Sequence, residues 1–354
     1  MFRIVFFIFL IYSGSLLSCE PFSNANLVKN KYAKFFKIYK YKSGWFIDVF
    51  KNESKVHSRY SVNIDHSCVG IIKIMNSKRI GLMSTTYLPF IEALDKTINL
   101  RGVFGLKNFY GSKLKKGNIK DLGARPGLEK ILKANFSVLF GYSLNNSDKD
   151  LFYQLQKYDY PVFAIHDYLE SSALGRVEWL KVFGLIFGKY PLSNTKFSEI
   201  ETSFKNELVR ISKSSNLNVL IAQEYEGNWF VPGENSYIYE MVRLVGGKVP
   251  LSTGYPSRRK VSRDDILRAL KKTDVWFPQS NERDIGRLFK YLGTSREKFK
   301  RLKIYNITKR IDQKGSNDFW QGGIFRPDLV IQDLKKTLGV GDVDNDEFYW
   351  YEEL

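Results

Sequence analysis

Cysteine and histidine are scarce in this 354-residue chain: it has two of the first and three of the second. Two cysteines exclude a disulfide framework and any metal centre built on thiolates, so the fold must rest on a hydrophobic core. His57, His66 and His166 are too dispersed for a histidine-rich metal site, and each reads as structural. Only His166, which follows an expected strand, could reach a cleft. No Gly-x-Ser-x-Gly elbow and no Walker loop occurs, and Gly184–Lys189 lacks the spacing for one. Asp342–Asp346 alternates acids as a calcium loop does, but the loop glycine and the twelfth-position glutamate are missing; it reads as part of an acidic tail. Beyond the first residues, no apolar run reaches membrane-spanning length.

The N-terminus is where the chain is most distinctive. Arg3 is the only charge before Glu20, and Ile4–Leu17 is apolar apart from small or amphipathic residues. A short charged region followed by a short apolar one is the pattern of an export signal. It ends in Leu16-Leu17-Ser18-Cys19, which resembles the lipobox of bacterial lipoproteins. The resemblance implies that residues 1–18 are a signal peptide and that Cys19 is acylated. The protein would then be lipid-anchored in the cell envelope, facing the periplasm or the exterior. An ordinary secretory signal with a coincidental cysteine is the alternative. Residues 19–35 are polar and lysine-rich and predict a tether, and Cys68 reads as a small core residue. The formal charge of +18 would suit nucleic acid, but export removes that partner and leaves anionic head groups or an anionic ligand. Lysines are scattered, so much of the charge could simply coat the surface.

A hydrophobic content of 44% with 15% aromatics is enough to bury one large core or two medium ones. Ile38–Tyr41 and Trp45–Phe50, flanking Lys42-Ser43-Gly44, predict a hairpin. Strand and helix then alternate: Arg79–Met83, a helix at Pro89–Leu94, Val103–Gly105, a helix at Pro126–Leu132, Phe136–Phe140, a helix at Asp148–Tyr158, and Pro161–Ile165. The middle is helical, and Phe197, Ile200, Phe204, Leu208 and Ile211 recur at helical spacing. Alternation resumes from Val219 to Tyr305. The pattern predicts an α/β fold of two halves joined by a long helix. The expected division is an N-terminal lobe with its lead-in helix over 36–188, the interlobe helix over 189–214, a C-terminal lobe over 215–340 and the acidic tail over 341–354.

Several segments together resemble the substrate-binding proteins of the iron-siderophore, haem and cobalamin importers of the ABC class. They are Ile80–Leu94, Val103-Phe104-Gly105, Tyr168–Trp179, Trp229–Tyr237 with Gly246-Gly247, and Asn317–Trp320 with Arg326–Val330. Their order and spacing cover most of residues 60–340. The resemblance implies two α/β lobes joined by a long rigid helix with the ligand cleft between them, and a monomeric receptor with small opening motions, no intrinsic cofactor and no metal site of its own. Its ligand would be a metal chelate (a ferric siderophore first, haem or cobalamin next) and its partner a permease dimer. One acidic residue on each lobe would meet arginines of that permease. Glu129 and Asp264 stand at these positions, although the family more often has glutamate at the second. A solvated charge favoured by a helix dipole is the plainer reading of both.

Ligand pockets in such folds lie between domains at the carboxyl ends of strands. The loops there hold Thr85, Thr86, Tyr87, Tyr142 and Tyr168 in the first half. In the second they hold Tyr225, Asn228, Trp229, Phe230, Gln279 and Asn281. Aromatics with neutral hydrogen-bonding groups suit a large, flat, partly apolar ligand. Trp229 and Tyr225 are the leading candidates, because a loop has little structural need for tryptophan. Arg258 and Arg259 could pair with ligand carboxylates or lie on the surface. The rival is an exported enzyme on a similar scaffold, for which Glu226 and His166 would have to meet in the cleft. An envelope scaffold without ligand is the third possibility.

Overall fold

The computed structural model describes residues 20–65, 68–74, 78–94, 100–111, 119–142, 146–211, 215–252, 254, 258–341 and 347–354. The signal peptide, Cys19, His66 and the Asp342–Asp346 run lie outside the described residues.

The alternating sequence builds two parallel sheets. The first has the strand order Val162–Ala164, Val138–Gly141, Ile80–Leu82, Leu100–Val103, Lys120–Asp121, every pair parallel. Its three strands Ile80–Leu82, Val138–Gly141 and Val162–Ala164 are buried at every residue, as expected for a sheet covered on both faces. The second runs Val219–Ile221, Val275–Phe277, Lys303–Asn306 in parallel and is closed by the antiparallel strand Glu352–Glu353. Beside it, Gln223–Tyr225, Asn228–Val231 and Arg259–Val261 form a small antiparallel sheet.

The helix Tyr190–Val209 joins the lobes. Its apolar stripe is shared: Phe197 and Ile200 are buried in the first lobe's core, whereas Phe204 is buried in the second's. A helix with a foothold in both cores cannot slide without opening one of them. Its start is held tightly by the preceding helix Leu180–Ile186, where Gly184 faces the side chain of Ser193 and leaves no room for a methyl group. On the other flank it meets Pro327–Leu338 through Glu207, which takes hydrogen bonds from Gln332 (2.8 Å) and the fully buried Lys335 (3.0 Å).

The N-terminal region is a third sheet, Asn26–Val28, Phe36–Tyr41, Gly44–Asn52, Lys55–Val62 and Ile71–Ile74, in chain order. The predicted hairpin is there, turning through Lys42 at φ 47°. Phe36, Ile38, Ile47, Val49, Tyr60 and Val62 face inward and join the first lobe's core.

Two terminal expectations differ from what is observed. The lysine-rich stretch 19–35, expected as a tether, is built into the fold from residue 20 onward. Glu178, fully buried, accepts the backbone N–H groups of Lys31, Tyr32 and Ala33 at 2.8–3.1 Å and pairs with Lys181 at 2.6 Å. Glu170 accepts those of Lys34 and Phe35 and the indole N–H of Trp179. Glu201 binds Lys31, Tyr32 and Lys205 through its two oxygens, which holds its carboxyl down at about 2 although burial opposes this. The polar composition is real, but the backbone donors have carboxylate acceptors waiting. Likewise the end of the expected acidic tail is core: Trp350 and Tyr351 are buried in the second lobe, and Asp333 accepts the N–H groups of Tyr349, Trp350 and Tyr351 at 2.7–3.1 Å. Cys68, expected in the core, is half-buried in the approach to Ile71–Ile74.

Removing one partner of a buried charge pair strands the other. Glu178→Gln is therefore expected to lower unfolding stability by about 3 kcal/mol in urea titration; wild-type stability in this variant would show that the strap is not held by charge. Burial pushes Glu170 up to about 7 from an ordinary 4.5. The folded state thus binds more protons than the unfolded chain between those values, so this contribution is full below pH 4.5 and falls as pH rises to 7. In Glu170→Gln that fall, followed as melting temperature against pH, should vanish.

Candidate functional site

The site is assembled from loops at the carboxyl ends of strands in both lobes. After Ile80–Leu82, Ser84 caps the turn Thr85–Tyr87 by accepting the N–H of Thr86 at 3.2 Å, and this drives Tyr87 inward. Tyr142 directly follows Val138–Gly141, and Asp167 and Tyr168 follow Val162–Ala164. These loops converge on Arg176 in the helix Ala173–Glu178. Its Nε and Nη2 both donate to Asp167, at 3.2 and 2.7 Å, and the guanidinium lies 4.5 Å from the ring centre of Tyr237 at the start of a second-lobe helix. Burial raises the pKa of Tyr87 well above its ordinary value, and Asp167, Tyr142 and Tyr168 add to the shift from nearby. Tyr168 is pushed up to about 12, first by burial and then by Asp167 and Asp148. Burial also raises Tyr142 and Tyr237. At neutral pH these phenols keep their protons. They offer hydrogen bonds without charge, while Arg176 and Asp167 neutralise one another.

The second lobe adds unsatisfied polarity. Gln279, 8% exposed and in the left-handed region at φ 49°, has its amide nitrogen buried without a hydrogen-bond partner among the described residues. The Tyr351 hydroxyl, buried beside Gln279 and near Tyr237, makes no hydrogen bond of ordinary geometry among the described residues either. Buried polar atoms left unpaired are costly, and they mark a place where something polar is wanted.

The lobes also touch directly. Gln321, from the second lobe, accepts the N–H of Tyr110 at 3.0 Å and donates to the carbonyl of Asn108 (3.0 Å) and to the hydroxyl of Thr85 (3.3 Å). Arg310 pairs with Asp318 and lies over the rings of Tyr110 in one lobe and Tyr349 in the other, at 5.0 and 4.6 Å. Glu240 accepts the N–H of Ala173 at 3.0 Å, next to a cavity of about 350 Å³. A wider groove of about 780 Å³ follows one polar face of the interlobe helix along Asn194, Ser198, Thr202 and Asn206. It contains none of the converging aromatic and unpaired groups, so the seam is the better candidate.

Among the residues singled out in the sequence, Tyr87, Tyr142 and Tyr168 are brought together. Thr85 is bonded across the seam, and Thr86 is bonded to Ser84 beside it. Trp229 is a correction: it lies on a strand, not in a loop, is 4% exposed, and packs in a core cluster with Trp276 at 6.1 Å. The turn Glu226–Gly227, with φ of 50° and 77°, makes a tight hairpin whose alternation sends Trp229 and Val231 inward. Tyr225 stands 52% exposed near that turn, with Asn228 bonded to the Glu226 carbonyl. Phe230 is half-buried under the guanidinium of exposed Arg258, 4.7 Å away, and Arg259 is exposed on the neighbouring strand. Asn281 is exposed and tied to Gly315 and Asn317. His166 is buried, with Nδ1 2.7 Å from the Phe50 carbonyl and its ring 5.0 Å from that of His57, and burial lowers it to about 4. Glu226 is exposed at the hairpin tip in the other lobe, so the pair an enzyme would need is not assembled. Asp167, Arg176, Tyr237 and Gln321 were not singled out; the one available signal was an arginine inside the apolar run Ala173–Leu180.

Trp229→Ala is expected to cost about 3–5 kcal/mol in unfolding stability, as for a large core side chain. Tyr168→Phe should change it by less than about 1 kcal/mol; the reverse ranking would put Trp229 back at the surface.

No family model matches the sequence. An uncharacterized lipoprotein of Methanocaldococcus jannaschii is 27% identical over 277 residues, 73% of this chain and 64% of that protein, so the match spans less than two thirds of the relative's length. The triscatecholate siderophore binding protein of Bacillus subtilis, solved with ferri-bacillibactin, superposes with a TM-score of 0.54 at 15% identity, covering 75% of this chain and 93% of that one. The periplasmic haem binding protein of Vibrio cholerae gives 0.53 at 16% identity, over 72% and 99%. No helix among the described residues is long and apolar enough to cross a membrane. Two α/β lobes, a bridging helix and these superpositions establish that the chain has the fold of the two-lobed periplasmic binding proteins.

Proposed function

We propose that this protein is a lipid-anchored extracytoplasmic receptor that captures a metal chelate, in first place a ferric siderophore, and delivers it to an ABC permease. Haem and cobalamin are the next ligands to consider. The observation that carries the reading is the seam itself. Neutral phenols Tyr87, Tyr142, Tyr168 and Tyr237 and the unpaired amide of Gln279 gather where the two lobes meet. Such a surface can stack on and hydrogen-bond a bulky, oxygen-rich ligand. Binding is the whole task on this reading, and the chain works as a monomer against a permease dimer.

Docking falls to Glu129 and Asp264. Glu129 is exposed in the first turn of Leu128–Ala134, paired only with Lys133 one turn on. Asp264 is exposed in the first turn of Arg263–Leu270, where Asp265 rather than Asp264 completes the capping box with Ser262. Neither is needed to hold its helix, which leaves both available to a partner.

Protein purified from native cells should carry the spectrum and metal content of its ligand. Ferric siderophore, haem or cobalamin at a hundredfold excess over Kd should stabilise it by about 2.7 kcal/mol. A colourless, iron-free sample whose melting temperature answers to none of the three would overturn the receptor reading. Glu129→Ala with Asp264→Ala should abolish coupling to the permease and leave the ligand-induced melting shift unchanged. Cys68, expected to stand alone, is disulfide-bonded in the structure, so mass spectrometry of Cys19 tests the anchor: an acylated cysteine supports it, and a bridge to Cys68 in the protein from cells refutes it.

A further inference from the structure

We propose that the outer face of the N-terminal sheet is a membrane-docking surface that binds anionic phospholipid head groups. The inference rests on the lipid-anchor part of the reading above, and it does not depend on the ligand.

The sheet has two unlike faces. The inner one is the first lobe's core. On the outer one, strand pairing sets Leu27 beside Tyr39, Tyr39 beside Phe46 and Phe46 beside Ser61, with Lys37, Asp48 and Arg59 in the neighbouring row. The short helix Glu20–Ser23 lies across this face. Phe22 meets Tyr39 and Phe46 edge-on at 5.0 and 5.3 Å, and the Arg59 guanidinium covers it at 3.6 Å. Phe22 is three residues from Cys19, and three residues reach at most about 10 Å. A lipid on Cys19 would therefore hold this face against the bilayer, with no slack to swing away.

The charge fits that placement. Residues 26–74 contain ten lysines and arginines against three acids, a net +7 of the chain's +18 within 49 residues. All three acids are spent locally, Asp48 on Arg59, Glu53 on Lys34 and Asp65 on Lys73. Lys29, Lys37 and Lys42 have no ion-pair partner among the described residues. Lys37 and Lys42 extend over the outer-face rings of Phe50 and Tyr41, each 5.3 Å from the ring centre. Leu27, 56% exposed on the same face, adds an apolar contact. At physiological salt the screening length is about 8 Å, so a face held within about 10 Å feels the head groups and one on a free tether does not. A basic residue at an anionic membrane surface strengthens binding about fivefold.

The experiment uses the mature chain as Cys19→Ser, which carries no lipid, with large vesicles of phosphatidylcholine alone or with 30% phosphatidylglycerol by composition. Sedimentation should show binding to the anionic vesicles at least about tenfold stronger than to the neutral ones, weakened by high salt. The triple variant K29E/K37E/K42E should lose that difference at an unchanged melting temperature. K271E/K272E, a charge reversal of similar size on the second lobe, should keep it. Equal binding to both vesicle types would overturn the proposal, as would an equal loss in the two variants. These outcomes are separate from the fate of the anchor: an acylated Cys19 with no anionic preference sinks the docking face alone.

Discussion

Two buried glutamates hold this molecule's parts in register. Glu178 and Glu170, on and just before the helix that leads into the interlobe region, collect five consecutive backbone N–H groups from residues 31–35. At Glu178 the donors and the paired Lys181 together let a carboxylate tolerate burial, whereas Glu170, which has donors and no lysine, is pushed up to about 7. The geometry fixes the N-terminal sheet against the first lobe. Everything else inherits that reference: the sheet's inner face completes the first core, and its outer face carries the short helix Glu20–Ser23 and a fringe of exposed lysines.

The second constraint is the interlobe helix. With Phe197 and Ile200 in one core and Phe204 in the other, it acts as a strut, and the lobes can move only by small bending about it. The seam contacts of Gln321, Arg310 and Glu240 are hydrogen bonds and ring contacts of modest strength, of the kind a ligand can exchange for its own. A stiff strut with a weak seam suits a receptor that must admit a bulky molecule without reorganising.

Much of the architecture was legible in the sequence because it rests on periodicity. Alternating apolar runs and helical stripes gave the parallel sheets, and spacing gave the strut. Lys42-Ser43-Gly44 gave the hairpin. What stayed hidden depends on partners far along the chain. Nothing in the lysine-rich stretch near residue 31 announces that Glu178 waits for its N–H groups, and nothing in the final acidic residues announces Asp333. Trp229 was misread for a local reason. Glu226-Gly227 is not among the usual hairpin dipeptides, so the strand after it passed for a loop, and a one-residue error in such a place turns a core side chain into a site residue. The tyrosines of the first lobe could be expected near one another because they sit directly after recognisable strands; Arg176 and Asp167 could not, because their meaning lies in each other.

The clasp also orders events in time. The bonds from residues 31–35 to their glutamates close loops of 135 to 147 residues. Long loops close late, after local structure has reduced the search. The N-terminal segment is synthesised before the carboxylates that capture it exist as a surface. It must stay unlocked until the first lobe has folded behind it. The part of the protein that is made first is thus among the last to become rigid.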